Sequence, residues 1–288
     1  MPAAHKSTST VFIYPFPFMS ASSLLSHGSC GHVFAIGKAL VFKCAFAVTN
    51  PAPSHVRLAE ESRRQLENEK KMYRLLWDRP HANILDCALI VDEGIFLARM
   101  PTSLQQHVDA TGAVLDVHIC LVWMHQMASA LAWLELLGFA HGDFRPANIL
   151  LSADRQIKVG DLDAAVPLGH TLTAATEPYC RLGPRLRTPQ ASAATEQFAF
   201  ASCVYFMRWG HEVFHELDPP TRVRRIMEGH VPSTKQDIAF GALINQCWKG
   251  DFSSMAELQA RTGDMIQRGA LDWTATASPL LPVRTQPA

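Results

Sequence analysis

The stretch His141-Gly142-Asp143-Phe144-Arg145-Pro146-Ala147-Asn148-Ile149-Leu150-Leu151, followed by Asp161-Leu162-Asp163, decides the reading of this chain. It sets two carboxylates and an amide in an order that suits phosphoryl transfer. One acid can accept a hydroxyl proton, while an Asn and a second acid can hold Mg2+. Asp161 lies 18 residues beyond Asp143, with a short hairpin's worth of chain between them. Incidental acids in a β-turn would rarely bring these residue types into register together.

Upstream, Ser26-His27-Gly28-Ser29-Cys30-Gly31-His32-Val33 is a glycine-bearing turn, and Ala39-Leu40-Val41-Phe42-Lys43-Cys44-Ala45-Phe46 is a β-rich run. Glycines let backbone N–H groups approach phosphate oxygens without a Cβ in the way. A Lys inside an apolar strand needs an anionic partner, because burying it alone is costly. Residues 57–76 read as a charged amphipathic helix anchored by Leu58, Leu66, Met72, Tyr73 and Leu76. That helix carries Glu67 and Glu69 as carboxylates for Lys43.

Taken in order, these segments resemble the eukaryotic protein-kinase family. Asp143 and Asn148 keep the spacing of its His-Arg-Asp-x-x-x-x-Asn loop, and Asp161-Leu162-Asp163 stands at its Asp-Phe-Gly. Gly28 and Gly31 match the later glycines of its Gly-x-Gly-x-x-Gly-x-Val loop, with Val33 at the valine and Ser26 at the first glycine. Lys43 matches its Val-Ala-Ile-Lys strand, and Glu69 fits the acid of the following helix, with Glu67 as the alternative. Thr195-Glu196-Gln197-Phe198 resembles the start of its central helix, with Glu196 where Asp is usual, and Cys247-Trp248 resembles its late Cys-Trp pair.

The resemblance implies a fold and a site. The expected fold is α+β and bilobal, with a small β-rich N-lobe bearing one main helix and a larger helical C-lobe. The expected division is a tail over 1–20, N-lobe over 21–99, C-lobe over 100–270 and a tail over 271–288. The implied function is ATP-dependent phosphoryl transfer to a protein Ser/Thr hydroxyl. Asp143 would take the hydroxyl proton, Arg145 would neutralise the γ-phosphate, and Lys43 with Glu69 would position ATP. Asn148 and Asp161 would bind Mg2+. Gly28 and Gly31 would cover the phosphates. Val33, Val41, Leu97, Met100 and Leu150 would line the adenine slot, with Leu97 as gatekeeper. The Ser/Thr preference rests on Asp143-Phe144-Arg145-Pro146.

Departures accompany the match. Gly142 replaces the loop Arg that reads a phosphate on the activation segment, and Asp163 replaces the Gly of Asp-Phe-Gly. Glu177-Pro178-Tyr179-Cys180-Arg181-Leu182 stands roughly where Ala-Pro-Glu would be, and no Arg partner for that missing Glu is evident near residue 254. Three rival readings follow. One is a pseudokinase that binds nucleotide or a partner protein without turnover. Another is a small-molecule kinase of the aminoglycoside or choline type, suggested by His-Gly-Asp and Asp-x-Asp. The third is a zinc site at His211-Glu212-Val213-Phe214-His215, which spells His-Glu-x-x-His, with Glu228 or His230 as a further ligand. Gly210 before it and Pro219-Pro220 after it leave barely two helical turns, so it reads instead as a loop after the central helix.

The bulk composition sets outer bounds. The chain has 288 residues, 48% of them hydrophobic, which makes it globular. Lys plus Arg and Asp plus Glu both number 26, a balance that gives no support to a nucleic-acid or anionic-membrane partner. A protein substrate is expected, with a regulatory partner as an open addition. Seven scattered cysteines without a CxxC read as reduced thiols of a cytoplasmic protein, with the nucleus as the alternative. The apolar Val11–Phe18 segment is too short and too proline-rich to span a bilayer and reads as an extended strand or arm packed on the domain. Residues 81–85 and 88–91 read as strands, 114–138 as a long buried helix ending at Gly138, and 196–209 as a second apolar helix. Further helices are expected near 221–229, 236–248 and 254–268.

Overall fold

A computed structural model describes residues 11–17, 19–28, 31–49, 52–112 and 115–272. The chain divides into two compact units. One comprises residues up to Pro80, Leu85–Met100 and Asp161–Asp163. The other comprises His81–Ile84, Pro101–Gly160 and the chain from Ala164 onward. Chain order and unit membership therefore part company twice, and the second exception carries Asp161 into the first unit.

The first unit opens with strand β1 (Val11–Ile13), followed by β2 (Leu24–Gly28), β3 (Gly31–Ile36), β4 (Leu40–Cys44) and β5 (Ala47–Thr49). Helix α1 (Pro53–Trp77), β6 (Cys87–Ile90) and β7 (Gly94–Ala98) complete it. An antiparallel sheet runs β2-β3-β4-β7-β6, and β1 pairs with β5 beside it. Side chains alternate across a pleated sheet, so the register decides which residues meet. Phe34, Phe42 and Phe96 fall in one cross-strand row. Phe34 and Phe42 are buried with Met19 and Cys44, and Tyr14 and Phe16 of the arm pack against them. The opposite face carries Val33, Lys43 and Ile95 in one row and Val41 with Leu97 in the next. Pro53 starts α1 at a position where the missing N–H costs nothing, so the helix begins earlier than its charge pattern indicated. Leu66, Glu69, Met72, Tyr73 and Leu76 form its buried stripe.

The second unit contains β8 (Thr102–Ser103), α2 (Leu104–Thr111), α3 (Val117–Leu136), β9 (Phe139–Ala140), β10 (Ile149–Leu151), β11 (Ile157–Val159) and β12 (Val166–Pro167). It continues with α4 (Ala193–Trp209), α5 (Pro219–Met227), α6 (Gly241–Lys249) and α7 (Met255–Asp272). Helix α3 has the length and composition to cross a membrane, but much of it is buried, against α7 and α4. Asp116 caps its start by accepting from the His118 and Ile119 N–H groups. Gly138, at φ +87°, carries the chain away after its end. A strand over 81–85 does not form. Ile84 makes only an isolated bridge to Val159, and the Asn83 amide holds the Ile157 carbonyl at 3.1 Å. The α+β expectation holds, with a β-rich first unit and a helical second unit.

Candidate functional site

In the first unit, β4 brings Lys43 to the buried side of the sheet and α1 brings Glu69 to meet it. The ammonium lies 2.7 Å from Glu69 Oε2 and also donates to Asp161 Oδ1. Lys43 is 7% exposed and Glu69 fully buried, so each neutralises a charge that would be expensive alone. Glu67, the alternative acid, is half-exposed and instead accepts from the buried Lys70 at 2.6 Å. Burial pushes the Glu69 carboxyl up to about 7; the Lys43 charge pulls it back, and Asp161 adds to the rise. Asn68, which the sequence reading passed over, donates its amide to the Asp163 carbonyl at 2.8 Å, tying α1 to the Asp161–Asp163 segment.

The glycine hairpin closes at Gly28 opposite Gly31. Ser29 and Cys30 between them lie outside the described residues. Gly31 has φ +144°, and a Cβ there would fall 2.0 Å from the Cys44 carbonyl oxygen, so the strand crossing itself demands glycine. Val33 and Val41 are half-buried and Leu97 is buried on the face that carries Lys43. Met100, half-buried, closes this unit's second segment.

In the second unit, His141 is buried, with Nε2 3.0 Å from the Gly160 carbonyl oxygen. Its backbone N–H and that of Gly142 donate to the two carboxylate oxygens of Glu196, at 2.9 and 3.4 Å. Burial raises the Glu196 carboxyl, and His141 together with these N–H groups pulls it down. Gly142 has φ +78°, and a Cβ would sit 2.4 Å from the Ala164 carbonyl oxygen. The position therefore leaves no room for the family's Arg. Phe144 is buried and meets the His141 ring edge-on at 5.7 Å.

These anchors hold the Asp143 carboxylate between two donors. Arg145 Nε reaches Oδ2 at 2.9 Å and Asn148 Nδ2 reaches it at 3.1 Å. Asn148 Nδ2 also donates to the Asp143 carbonyl at 2.8 Å. That use of the nitrogen leaves the amide oxygen as the donor for a cation. The hairpin of β10 and β11 follows, with half-buried Leu150 on β10. Asn148 and Asp161 both offer hard oxygen atoms, the ligand type that Mg2+ selects. Among the described residues, no group of three or more His, Cys, Asp or Glu side chains is assembled for a metal.

The His-Glu-x-x-His stretch is not helical. Gly210, at φ +72°, ends α4 before it, and residues 211–217 form turns. The His211 and His215 rings lie 3.7 Å apart, and Glu212 accepts from Tyr179 at 3.3 Å and Arg222 at 3.0 Å. The zinc geometry of a shared helix face is absent there, and Glu212 serves an anchoring network instead.

Comparison with known proteins finds protein kinases. A family model described as protein kinase domain matches residues 22–259. The chain is 23% identical over 143 residues to a probable serine/threonine-protein kinase of Dictyostelium discoideum, covering 48% of this chain and 29% of that protein. It is 28% identical over 149 residues to the mouse non-receptor tyrosine-protein kinase TNK1, covering 46% and 22% respectively. Against mouse serine/threonine-protein kinase Nek4 the identity is 30% over 125 residues, covering 42% and 16%. The chain thus spans under a third of the length of these relatives.

Proposed function

The chain belongs to the protein kinase domain family, and on that premise we propose that it transfers the γ-phosphoryl group of Mg·ATP to a Ser or Thr hydroxyl of a protein. The observation that carries this reading is Lys43 held between Glu69 and Asp161. With both acids ionised the trio carries a net charge of −1. A bare triphosphate would be repelled by it, so the reading requires Mg2+ at Asp161, with Asn148 as the second oxygen donor. Bound Mg·ATP supplies the phosphoryl group and screens its charge. Lys43 would orient the α/β-phosphates, and the glycine hairpin at Gly28 and Gly31 would cover them. Val33, Val41, Leu97, Met100 and Leu150 would line the adenine slot.

Asp143 would take the hydroxyl proton. Its carboxylate is oriented by Asn148 and Arg145, which fits a group that positions an acceptor. Arg145 would swing from Asp143 to the transferring phosphoryl group. The Ser/Thr preference rests on Asp143-Phe144-Arg145-Pro146, while the relatives include both Ser/Thr and Tyr kinases. We place the reaction in the cytoplasm, where the buried thiols of Cys44, Cys120, Cys203 and Cys247 stay reduced.

The Arg145–Asp143 pair also favours a second reading, a nucleotide-binding domain with little turnover, because the guanidinium neutralises the carboxylate that would accept the proton. Phosphate transfer from labelled ATP to serine, threonine and tyrosine peptide pools separates the two. The active reading expects transfer to serine and threonine peptides that is abolished in Lys43→Ala, Asp143→Ala and Asp161→Asn. Normal turnover in any of these variants refutes it. Mg-dependent ATP binding without transfer selects the second reading.

A further inference from the structure

The second unit holds a cavity of about 160 Å³ beside Asp143, with room for one side chain. Its inner wall is apolar and buried, formed by Leu172, Tyr179, Phe198 and Trp248. Arg181 and Lys249 also line it, and both are exposed, which puts them at the mouth. Neither cation has a carboxylate partner among the described residues. The Arg181 guanidinium rests against the backbone of Gly229, where an added Cβ would come within 3.0 Å of it.

Negative groups also line the cavity, and their oxygens are already hydrogen-bonded from within the fold. Asp143 is held by Arg145 and Asn148, and Glu196 accepts from the His141 and Gly142 N–H groups. Cys180 on the wall stays a neutral thiol, pushed up to about 11 by burial and by the neighbouring Asp143, Glu196 and Glu177. Of the charged groups that line the cavity, the two cations are the exposed ones, and they lie at its entrance. Electrostatic complementarity of this kind selects partners and rejects like charge.

We propose that this cavity receives an anionic side chain of the protein substrate, a carboxylate or a phosphorylated serine within two residues of the accepting hydroxyl, with Arg181 and Lys249 as its counter-charges. The inference rests on the kinase reading, because the role of Asp143 is what places the acceptor there. A phosphoserine brings close to two negative charges and three acceptor oxygens, and so gains more from the same cations than Asp or Glu does.

The test uses the full chain and peptides sharing one acceptor serine, scanned at neighbouring positions with Asp, phosphoserine, Ala or Lys. Phosphate transfer and peptide affinity by fluorescence anisotropy are read separately. Asp is expected to exceed Lys by about ten-fold at one position, the sum of two partly exposed ion pairs. A preference confined to phosphoserine identifies phosphate as the ligand and supports the proposal. The Arg181→Glu, Lys249→Glu double variant is expected to prefer Lys peptides, a gain that misfolding cannot mimic. Equal transfer to all peptides overturns the proposal and leaves the kinase reading standing. Acid-selective binding without transfer supports the cavity's role and removes the active-kinase reading. An unchanged preference in the charge-reversed variant, or no binding of any peptide, overturns the proposal.

Discussion

Glu69 is the residue on which charge and burial conflict most directly. The folded chain raises its carboxyl from 4.5 to about 7, burial being the largest cause. For an acid raised in this way, the stabilising contribution is complete below 4.5 and is lost as pH rises through 7. The ion pair with Lys43 has the opposite dependence, because it needs the ionised carboxylate. Mg·ATP affinity measured by calorimetry is therefore expected to fall as pH drops below 7, and the Glu69→Gln variant is expected to lose that acid limb. The same substitution should flatten the pH dependence of unfolding between 4.5 and 7. A persistent acid limb in the variant would assign it to another group. Gly142 supplies a steric counterpart. Alanine there meets both a left-handed backbone and the Ala164 carbonyl oxygen at 2.4 Å. Gly142→Ala is expected to cost about 2–4 kcal/mol by chemical denaturation. The glycine was legible in the sequence as a missing Arg, but the carbonyl that excludes a side chain was not, because Ala164 lies 22 residues away.

At the scale of elements, the segment 177–182 is fixed by side chains no local pattern connects to it. The Ser202 hydroxyl donates to the Pro178 carbonyl at 3.2 Å, and Trp248 Nε1 donates to Ser202 Oγ at 3.1 Å. Tyr179 reaches Glu212, which Arg222 of α5 also holds. This network anchors the segment, where the sequence offered no Arg partner for the family's missing Glu. Tyr179→Phe and Glu212→Ala are each expected to cost about 1–3 kcal/mol in denaturant unfolding, and together less than their sum. Strict additivity would show that the two side chains act independently. The helices themselves were readable, because apolar spacing and the glycines Gly138 and Gly210 state where α3 and α4 end, whereas α3 starts after its Asp116 cap rather than at the expected 114. Residues 81–85 misled because an apolar Ile84 in a short run looks the same whether it enters a sheet or makes a single bridge. His-Glu-x-x-His was legible as a loop, because the zinc motif depends on a helix that Gly210 terminates.

For the whole molecule, ligand binding and folding are linked by mass action. Mg·ATP at one hundred times its dissociation constant is expected to stabilise the folded chain by about 2.7 kcal/mol, seen as a raised Tm. EDTA should remove the rise if Asp161 acts through the metal, and Lys43→Ala should abolish it. ATP alone giving the full shift would contradict the charge argument made for Lys43, Glu69 and Asp161. The order of these groups along the chain was enough to expect the contact of Lys43 with Glu69 that the fold forms. Arg181 and Lys249, 68 residues apart, carried no sequence signal, since only folding sets them at one opening. The pairing of β1 with β5 has a practical consequence at this scale. Tyr14 packs on Phe34 at 4.9 Å and Phe16 on Phe42 at 5.3 Å between ring centroids. Anyone trimming the gene to start just ahead of the glycine hairpin would strip that aromatic lid. The shortened product would clump in the tube, and its silence in an assay would report bare phenylalanines rather than broken chemistry.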